Sequence, residues 1–297
     1  MPDSILPHLA ESLGKYWPGA SVNCGLPHCP GKNSLWRRMW RHRNGVRFDG
    51  VLYCHLQCLE IALREELLRL QNQTLPAPPP NRIPLGLLMV ARGKLTHAEV
   101  SAALEAQRRA RHGNIGEWVE KLGFASEQDV TAALGLQWGC PVASSLSNES
   151  NATAHHLPSA ILEDFLMWPI HWVPATNTLY IACGKRVDHG VLSAIEKMLG
   201  CRTQPCVGSP KSIASRIERL RQEGRAGQIE FHSMRDTSEM VRIAISYIGR
   251  LGPQEIRATR AGDFIWLLLK NLSTSMNLVF RLRSESQAAG ANLSIPA

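Results

Sequence analysis

Four cysteines near the beginning of the chain have the residue type and the spacing of a metal site. Cys24 and Cys29 form one close pair, and Cys54 and Cys58 form a second pair after 24 intervening residues. Close cysteine pairs at this separation are typical of thiolate ligands for zinc, and four unrelated reduced cysteines are the alternative. Four protein ligands leave no coordination position for a reactive water. The sequence therefore predicts a structural zinc site rather than a catalytic one.

A strand and a helix are the elements that must position the second pair. Cys54 and Cys58 lie in GVLYCHLQCLEIALREELLRL, where an apolar strand ends and an amphipathic helix begins. The segment resembles a treble-clef zinc finger. The resemblance implies that two ligands lie on the first helical turn and that the first cysteine pair forms the knuckle. His28 and His55 are alternative ligands, each in place of one cysteine.

The segment between the cysteine pairs, SLWRRMWRHRNGVRF, interleaves arginines with Trp36, Trp40 and Phe48 and contains no acid. Arginines that alternate with aromatic rings can bind phosphates and stack bases, so nucleic-acid binding is the alternative function for this chain. A solvated basic face with tryptophans packed on the finger, or a docking site for an acidic protein surface, explains the same pattern. The arginines assigned to nucleic acid are Arg37, Arg38, Arg41 and Arg43.

The middle of the chain contains two copies of a 24-residue sequence repeat. The first copy, residues 84–107, is PLGLLMVARGKLTHAEVSAALEAQ, and the second copy, residues 114–137, is NIGEWVEKLGFASEQDVTAALGLQ. Equivalent glycines, apolar residues and glutamines of the two copies are therefore 30 residues apart. Each copy predicts a short helix, a turn and a longer helix, with Gly93 and Gly123 at the C-cap of the short helix. Two helical hairpins of this kind are expected to pack as a small bundle.

Both long helices of the repeat have the same predicted start. Thr96 with Glu99 forms a capping box, and Ser126 with Asp129 places a capping residue and an acid at the matching positions of the second copy. Apolar residues then recur at helical spacing in both copies, which indicates one buried face on each long helix.

The repeat resembles the N-terminal domain of GspE-type secretion and pilus ATPases, specifically the MshEN type, whose tandem motif RLGxxLxxxGxxxxxxLxxxLxxQ binds cyclic di-GMP. The leading arginine of the motif is Pro84 in one copy and Asn114 in the other, and Arg82 and Arg111 lie nearby but out of register. The resemblance implies ligand contacts by Leu85, Gly86, Met89, Gly93, Val100, Leu104 and Gln107 in the first copy, and by Ile115, Gly116, Val119, Gly123, Val130, Leu134 and Gln137 in the second.

A duplicated motif suits a cyclic dinucleotide because this ligand has two equivalent halves. Each copy can offer glycines for close backbone approach, aliphatic side chains under the purine and a glutamine amide for polar edges. A motif arginine would add a planar fork for guanine or phosphate, so its loss is expected to lower the affinity. The alternative is that the aliphatic residues of the motif are bundle core.

The resemblance continues after the repeat and spans residues 82–220. It is carried there by Leu157-Pro158 at a helix start, by the proline of a strand at Pro169, and by a strand of the LYIA type at residues 179–182. Periodicity predicts strands at 170–173, 178–182 and 203–207, helices at 157–165, 187–199, 209–221 and 237–251, and a final antiparallel set of three strands. The cysteines outside the first two pairs are expected to be small core residues: Cys140, Cys183, Cys201 and Cys206.

Length and composition allow two or three small domains, since the chain has 297 residues and 44% hydrophobic content. A net charge of +8 favours acidic partners such as nucleotides, nucleic acid or an anionic membrane. The sequence contains no apolar run of membrane-spanning length, and its start lacks the pattern of a signal peptide. We therefore expect a cytoplasmic location without membrane insertion.

The predicted fold class is α+β with several domains. A zinc-finger segment comes first, a tandem helical-hairpin repeat is followed by a small α/β subdomain, and a C-terminal α+β domain comes last. The predicted boundaries are 1–74 for the zinc finger, 75–84 for a proline-rich linker, 85–143 for the repeat, 144–225 for the α/β subdomain, 226–284 for the C-terminal domain and 285–297 for a disordered tail.

No motif in the sequence indicates enzymatic chemistry. Two near matches to a Walker A loop, at residues 25–34 and 183–190, lack the required spacing or hydroxyl residue, and HExxH, GxSxG and GxGxxG do not occur in a convincing context. The sequence therefore predicts a non-enzymatic regulator or adaptor that resembles the front of a secretion or pilus ATPase without the motor. Its expected partner is a protein of a secretion or pilus machine.

Overall fold

The computed structural model describes residues 24–29, 45–74, 83–143, 154, 156–223 and 227–282, and these ranges contain two sheets and nine α-helices. The helices are α1 (Leu56–Gln71), α2 (Leu85–Ala91), α3 (His97–Ala110), α4 (Ile115–Lys121), α5 (Glu127–Trp138), α6 (Ser159–Asp164), α7 (His189–Leu199), α8 (Pro210–Gln222) and α9 (Thr237–Leu251). The strands are β1 (Val46–Phe48), β2 (Val51–Tyr53), β3 (Met167–Val173), β4 (Thr178–Cys183), β5 (Arg202–Val207), β6 (Gln228–Met234), β7 (Glu255–Ala261), β8 (Phe264–Lys270) and β9 (Ser275–Leu282). The mixed α+β character predicted from the sequence is confirmed.

A six-stranded sheet joins segments from both ends of the described chain. Its strand order is β2-β1-β7-β8-β9-β6. β1 pairs with β7 in parallel, with Arg47 opposite Glu255, and Arg47 N donates to Gln254 O at 2.9 Å. The hairpin that precedes the second cysteine pair therefore lies in the same sheet as the C-terminal strands, although the two segments are some 200 residues apart in sequence.

The central strand β8 is buried on both faces. Successive residues of a strand point to opposite faces, and in β8 one set packs with the α/β subdomain while the other packs under α1 and α9. The first set is Phe264, Trp266 and Leu268, and the second is Ile265, Leu267 and Leu269. Burial on both faces explains why the strand reads as a continuous apolar run, FIWLLL, rather than as an alternating pattern.

Two arginines of β7 cap helices that lie on opposite faces of the sheet. Arg260 Nη1 donates to three carbonyl groups at the end of α1, at 2.6 to 3.1 Å. Arg257 Nη1 donates to two carbonyl groups at the end of α7, at 3.0 and 3.1 Å. The last carbonyl groups of a helix have no partner within the helix, and a cation there also complements the helix dipole. β7 therefore holds one helix from each side.

We expect the Arg260→Ala variant to lose about 2 kcal/mol of unfolding free energy, because charge-assisted hydrogen bonds to the end of α1 disappear. Urea denaturation followed by circular dichroism measures this loss. Arg108→Ala is the control, since Arg108 is exposed on α3 and belongs to neither core. Equal stability of the two variants would contradict the capping role.

A smaller sheet with the order β3-β4-β5 forms the centre of the α/β subdomain. β4 and β5 are parallel and are connected through α7, as a parallel pair requires. The chain that leaves the repeat extends this sheet, because Ala143 N donates to Val207 O at 2.9 Å and Val207 N donates to Pro141 O at 2.8 Å. This pairing attaches the repeat to the subdomain. Strands occur where they were predicted at 178–182 and 203–207.

Several predicted features lie outside the described residues. These are Arg37, Arg38, Arg41 and Arg43, most of the proline-rich linker, the first residues of the predicted α/β subdomain, 144–153, and the tail from residue 285. Phe48, the aromatic residue at the end of the arginine-rich segment, is described and is buried against α1 and α9, so it is unavailable for stacking on a base. Among the helices within the described ranges, none has the length and apolar character needed to cross a membrane.

Candidate functional site

The two copies of the sequence repeat have helices at equivalent positions. The short helices α2 and α4 start 30 residues apart, as do the long helices α3 and α5. Both predicted capping boxes are formed: the Thr96 side chain accepts from Glu99 N while the Glu99 carboxylate accepts from Thr96 N, and Ser126 and Asp129 make the same reciprocal pair. The local sequence therefore fixes the start of each long helix.

Left-handed glycines end both short helices. Gly93 has φ of 66° and Gly123 has φ of 72°, a conformation that side chains with a Cβ atom rarely adopt. The following residues close the turns, since Lys94 N donates to Met89 O at 2.9 Å and Phe124 N donates to a backbone carbonyl of α4 at 3.0 Å. This is the hydrogen-bond pattern of a Schellman motif, and it leaves both glycines exposed at the surface.

The other two motif glycines serve helix packing. A Cβ atom on Gly86 would lie 2.9 Å from Val100 Cγ1, and one on Gly116 would lie 2.8 Å from Val130 Cγ1. Gly86 and Gly116 are themselves buried. In both copies, then, the absence of a side chain lets the short helix approach the long helix of its own hairpin.

The two motif glutamines connect the copies reciprocally. Gln107 Nε2 donates to Gly113 O at 2.8 Å, the carbonyl immediately before the second copy. Gln137 Nε2 donates to Ile83 O at 2.7 Å, the carbonyl immediately before the first copy. Each glutamine therefore holds the start of the other hairpin, and the bundle has an approximate two-fold relation. These amide donors are engaged within the protein.

The residues assigned to ligand contact divide into buried and accessible groups. Buried are the core residues Leu85, Met89, Val100, Val119 and Val130, as the alternative interpretation expects, and the two packing glycines Gly86 and Gly116. Accessible at least in part are Gly93, Gly123, Leu104, Ile115, Leu134, Gln107 and Gln137. Contact of these residues with a ligand stays a prediction, and only the second group offers side chains or backbone at the surface.

The positions of the missing motif arginines are helix N-caps. Pro84 precedes α2 and Asn114 precedes α4. Arg111 is exposed at the C-cap of α3, with φ of 56°, three residues before Asn114. Arg82 lies outside the described residues. Of the two out-of-register arginines, Arg111 is therefore the one whose position next to a copy is described.

An ion pair joins the turn of the first copy to the second capping box. Lys94 Nζ lies 2.7 Å from Asp129 Oδ1. The lysine, together with the hydrogen bonds from Ser126, lowers the pKa of Asp129 to about 2. The pKa of this carboxyl group is thus lower in the folded protein than the ordinary value of about 3.9 expected in the unfolded chain.

A depressed folded-state pKa means that ionised Asp129 contributes stability above about pH 4 and that this contribution is lost as the pH falls toward 2. We expect Lys94→Met to raise the pKa of Asp129 toward its ordinary value. The stability that ionised Asp129 contributes should then be lost at a higher pH. Carboxyl titration by NMR measures the change, with Glu99 as the internal control because its capping box contains no lysine. An unchanged Asp129 pKa would show that Lys94 is not the cause.

The four cysteines of the first two pairs form one cluster. The Sγ atoms of Cys29 and Cys54 are 3.4 Å apart, those of Cys29 and Cys58 are 3.8 Å apart, and those of Cys54 and Cys58 are 4.0 Å apart. All four Sγ atoms, including that of Cys24, lie within 4.8 Å of one another. Tetrahedral zinc with Zn–S bonds of about 2.3 Å requires sulfur atoms about 3.8 Å apart. The cluster therefore fits zinc.

A knuckle and the start of α1 position the sulfur atoms. Gly25 N donates to Leu52 O at 2.9 Å, which places the knuckle on β2, and Cys29 N donates to Leu26 O at 3.3 Å, which closes its turn. Cys58 lies in the first turn of α1, whereas Cys54 precedes the N-cap residue of that helix. The prediction that both ligands of the second pair lie on the first helical turn is therefore wrong for Cys54, because the helix starts only at residue 56.

Burial makes the cluster unfavourable for thiolates unless a cation is present. Desolvation raises the pKa of Cys58 to about 11 and raises that of Cys54 as well. A bound divalent cation reverses this effect, since it stabilises the deprotonated ligand. His55 Nδ1 lies 3.1 Å from Cys54 Sγ. Among the described residues the possible ligand set comprises the four cysteines and includes neither His28 nor His55.

The cysteines predicted as core residues lie around the smaller sheet. Cys183, Cys201 and Cys206 are buried and Cys140 is partly buried. Desolvation raises the pKa of Cys183 to about 12, so this thiol is protonated at neutral pH. Cys183 and Cys201 belong to the core of the subdomain, Cys140 packs against that core, and Cys206 is buried on β5, as predicted from their apolar surroundings.

Comparison with known proteins found similarity among solved structures. No protein-family model and no curated protein sequence matches the chain. The structure of MshE with cdg is 24% identical, with a TM-score of 0.39, and the match covers 47% of this chain and 99% of that chain. Two structures of the N-terminal domain of XpsE are 17% and 19% identical, with TM-scores of 0.31 and 0.27; they cover 46% and 44% of this chain and 92% and 90% of their own.

Proposed function

We propose that this chain is a non-enzymatic regulatory or adaptor protein whose tandem helical hairpins bind cyclic di-GMP. The observation that carries the proposal is the reciprocal exchange between the copies, in which Gln107 holds the start of the second hairpin and Gln137 holds the start of the first. Two hairpins related in this way present their equivalent surfaces about an approximate two-fold axis. A cyclic dinucleotide has the same symmetry, so one molecule can use both copies at once.

The accessible motif positions would form the contact surface. Leu104 and Leu134 are equivalent residues of the two long helices, and Leu104 has 37% of its surface exposed. Gly93 and Gly123 have open space where a Cβ atom would be, so a ligand can approach their backbone. Aliphatic surface and bare backbone in duplicate favour two planar rings with polar edges.

The absence of the leading arginines is expected to lower the affinity for cyclic di-GMP. A guanidinium contributes through charge-assisted, bidentate contacts, and each copy lacks that contribution at its leading position. Arg111 is near enough in sequence to supply a cation to the second copy but not to the first. We therefore expect micromolar rather than nanomolar affinity. MshE, one of the similar structures, was solved with cdg.

The remaining parts of the proposal concern the metal and the partner. The sulfur spacing supports a structural zinc ion held by Cys24, Cys29, Cys54 and Cys58, where it would neutralise buried thiolates. The resemblance of residues 82–220 to the front of secretion and pilus ATPases supports a protein of such a machine as the partner. Both assignments are independent of cyclic di-GMP binding.

Calorimetric titration of the full chain with cyclic di-GMP tests the ligand. We expect binding of one ligand per chain and at least about tenfold weaker binding by Leu104→Glu and by Leu134→Glu, because a carboxylate would be desolvated against the ligand. Leu68→Glu is the matched control, since Leu68 is an exposed leucine of α1 outside the repeat. No heat and no thermal shift in the wild type would overturn the proposal.

A further inference from the structure

A groove lies beside the second copy, on the surface between the end of α2 and the C-terminal half of α5. It has a volume of about 460 Å³ and is open to solvent. Its lining is Arg92, Ala132, Gly135, Leu136, Gly139, Cys140 and Val142. Leu136 and Val142 have 49% and 44% of their surface exposed. None of the lining residues belongs to the motif positions.

Two glycines build this groove. Gly139 ends α5 with φ of 65°, which turns the chain back across the helix. A Cβ atom on Gly135 would lie 2.8 Å from Val142 Cγ2 and 3.0 Å from Cys140 O, so the returning chain packs directly on the helix backbone. Val142 then pairs with Val207 of β5. The wall formed by residues 140–142 is thus anchored to the smaller sheet.

The first copy has different residues at the positions equivalent to the groove lining. The positions that correspond to Gly135 and Gly139 are Glu105 and Arg109, whose side chains form an ion pair across one helical turn. The position that corresponds to Leu136 is Ala106. An apolar, exposed leucine at this place is therefore not required by the hairpin fold, because the first copy forms the same hairpin without it.

We propose that this groove docks an amphipathic helix of a protein partner, with the apolar face of that helix against Leu136 and Val142 and a carboxylate of its sequence paired with Arg92. Arg92 is the only charged residue in the lining, and no carboxylate pairs with it within the described part of the chain. An open groove with exposed apolar side chains suits a helix, whereas small molecules are held in more enclosed sites. The net charge of +8 also favours an acidic partner.

The groove and the proposed cyclic di-GMP surface can be tested separately. The docking proposal does not depend on the ligand, since Leu104 and Leu134 lie outside the groove. Display of a library of amphipathic helical peptides of roughly 15 residues, selected against the full wild-type chain, provides the probe. We expect enrichment of peptides with an apolar face and at least one carboxylate.

Three variants decide the outcome. Leu136→Glu is expected to weaken the selected peptides at least about tenfold, as is typical for a residue at the centre of an interface. Arg92→Glu is expected to weaken acidic peptides similarly and to shift a repeated selection toward basic ones. Leu104→Glu is the control and should bind the selected peptides as the wild type does. All three positions are exposed, so circular dichroism should report unchanged folding.

Other results would overturn the proposal. Failure to enrich any peptide, or enrichment of peptides that bind Leu136→Glu as tightly as wild type, would remove the groove as a docking site. Sedimentation that shows a wild-type dimer and a monomeric Leu136→Glu variant would assign the groove to a second copy of the chain instead. Cyclic di-GMP binding by Leu136→Glu should stay at the wild-type level, which separates this result from failure of the proposed function.

Discussion

Removal of the proposed zinc ion by a chelator is expected to unfold the six-stranded sheet together with the cysteine knuckle. Structural zinc binding supplies on the order of 10 kcal/mol, comparable to the entire stability of an ordinary domain. The knuckle packs on β2, β1 pairs with β7, and α1 covers the face formed by Ile265, Leu267 and Leu269. Loss of order around Cys54 should therefore expose the C-terminal strands, although they are distant in sequence.

Hydrogen exchange resolved by mass spectrometry measures this effect. We expect chelation to reduce protection in β7 and β8, and we expect metal analysis to give one zinc ion per chain for the wild type and none for Cys58→Ser. Cys140→Ser is the matched control, since Cys140 lies outside the cluster and should keep the metal. Protection of β7 and β8 that survives complete metal removal would contradict the coupling.

Trp266→Ala is expected to lose about 4 kcal/mol of unfolding free energy. Trp266 is fully buried where the α/β subdomain packs on the larger sheet, so truncation leaves a large cavity. Its Nε1 donates to Asn277 Oδ1 at 2.7 Å, and the buried asparagine would lose this donor. The two costs add because packing and hydrogen bonding are lost together.

Trp266→Phe separates the two contributions. Phenylalanine fills most of the space but leaves Asn277 without the indole donor, so we expect a loss of about 2 kcal/mol. Urea unfolding followed by far-ultraviolet circular dichroism is suitable because the signal does not depend on the tryptophan itself. A smaller loss for Trp266→Ala than for Trp266→Phe would show that this face of the sheet is not a packed interface.

The sequence was most informative where structure depends on neighbouring residues. The capping boxes at Thr96 and Ser126 and the left-handed glycines at 93 and 123 were predicted because each requires only a few residues at fixed spacing. The cysteine cluster was predicted for the same reason, although its closure also depends on the chain between the pairs. The start of α1 was misplaced relative to Cys54 because helix boundaries depend on the cap geometry.

Pairing between distant segments was not predicted. Nothing in the local sequence VRF indicates that β1 pairs with β7 some 200 residues later, because the sequence of a short strand does not specify which strand it pairs with. One signal was present, because the unbroken apolar run of β8 indicates burial on both faces and hence a cover for each. The hydrogen bonds of the two motif glutamines to backbone carbonyl groups were also not predicted. Their type suits a ligand edge and a backbone carbonyl equally well, and only the geometry distinguishes the two.

The reciprocal hydrogen bonds of Gln107 and Gln137 predict how a single hairpin would behave in isolation. A single hairpin has a glutamine at its end and an uncapped carbonyl before its start, and these complement each other only between two hairpins. An isolated hairpin should therefore associate with a second identical hairpin into a symmetric pair. Fusion of two such hairpins would convert that association into an intramolecular one. The sequence of each copy could then change independently, so that a groove can form beside the second copy without an equivalent beside the first.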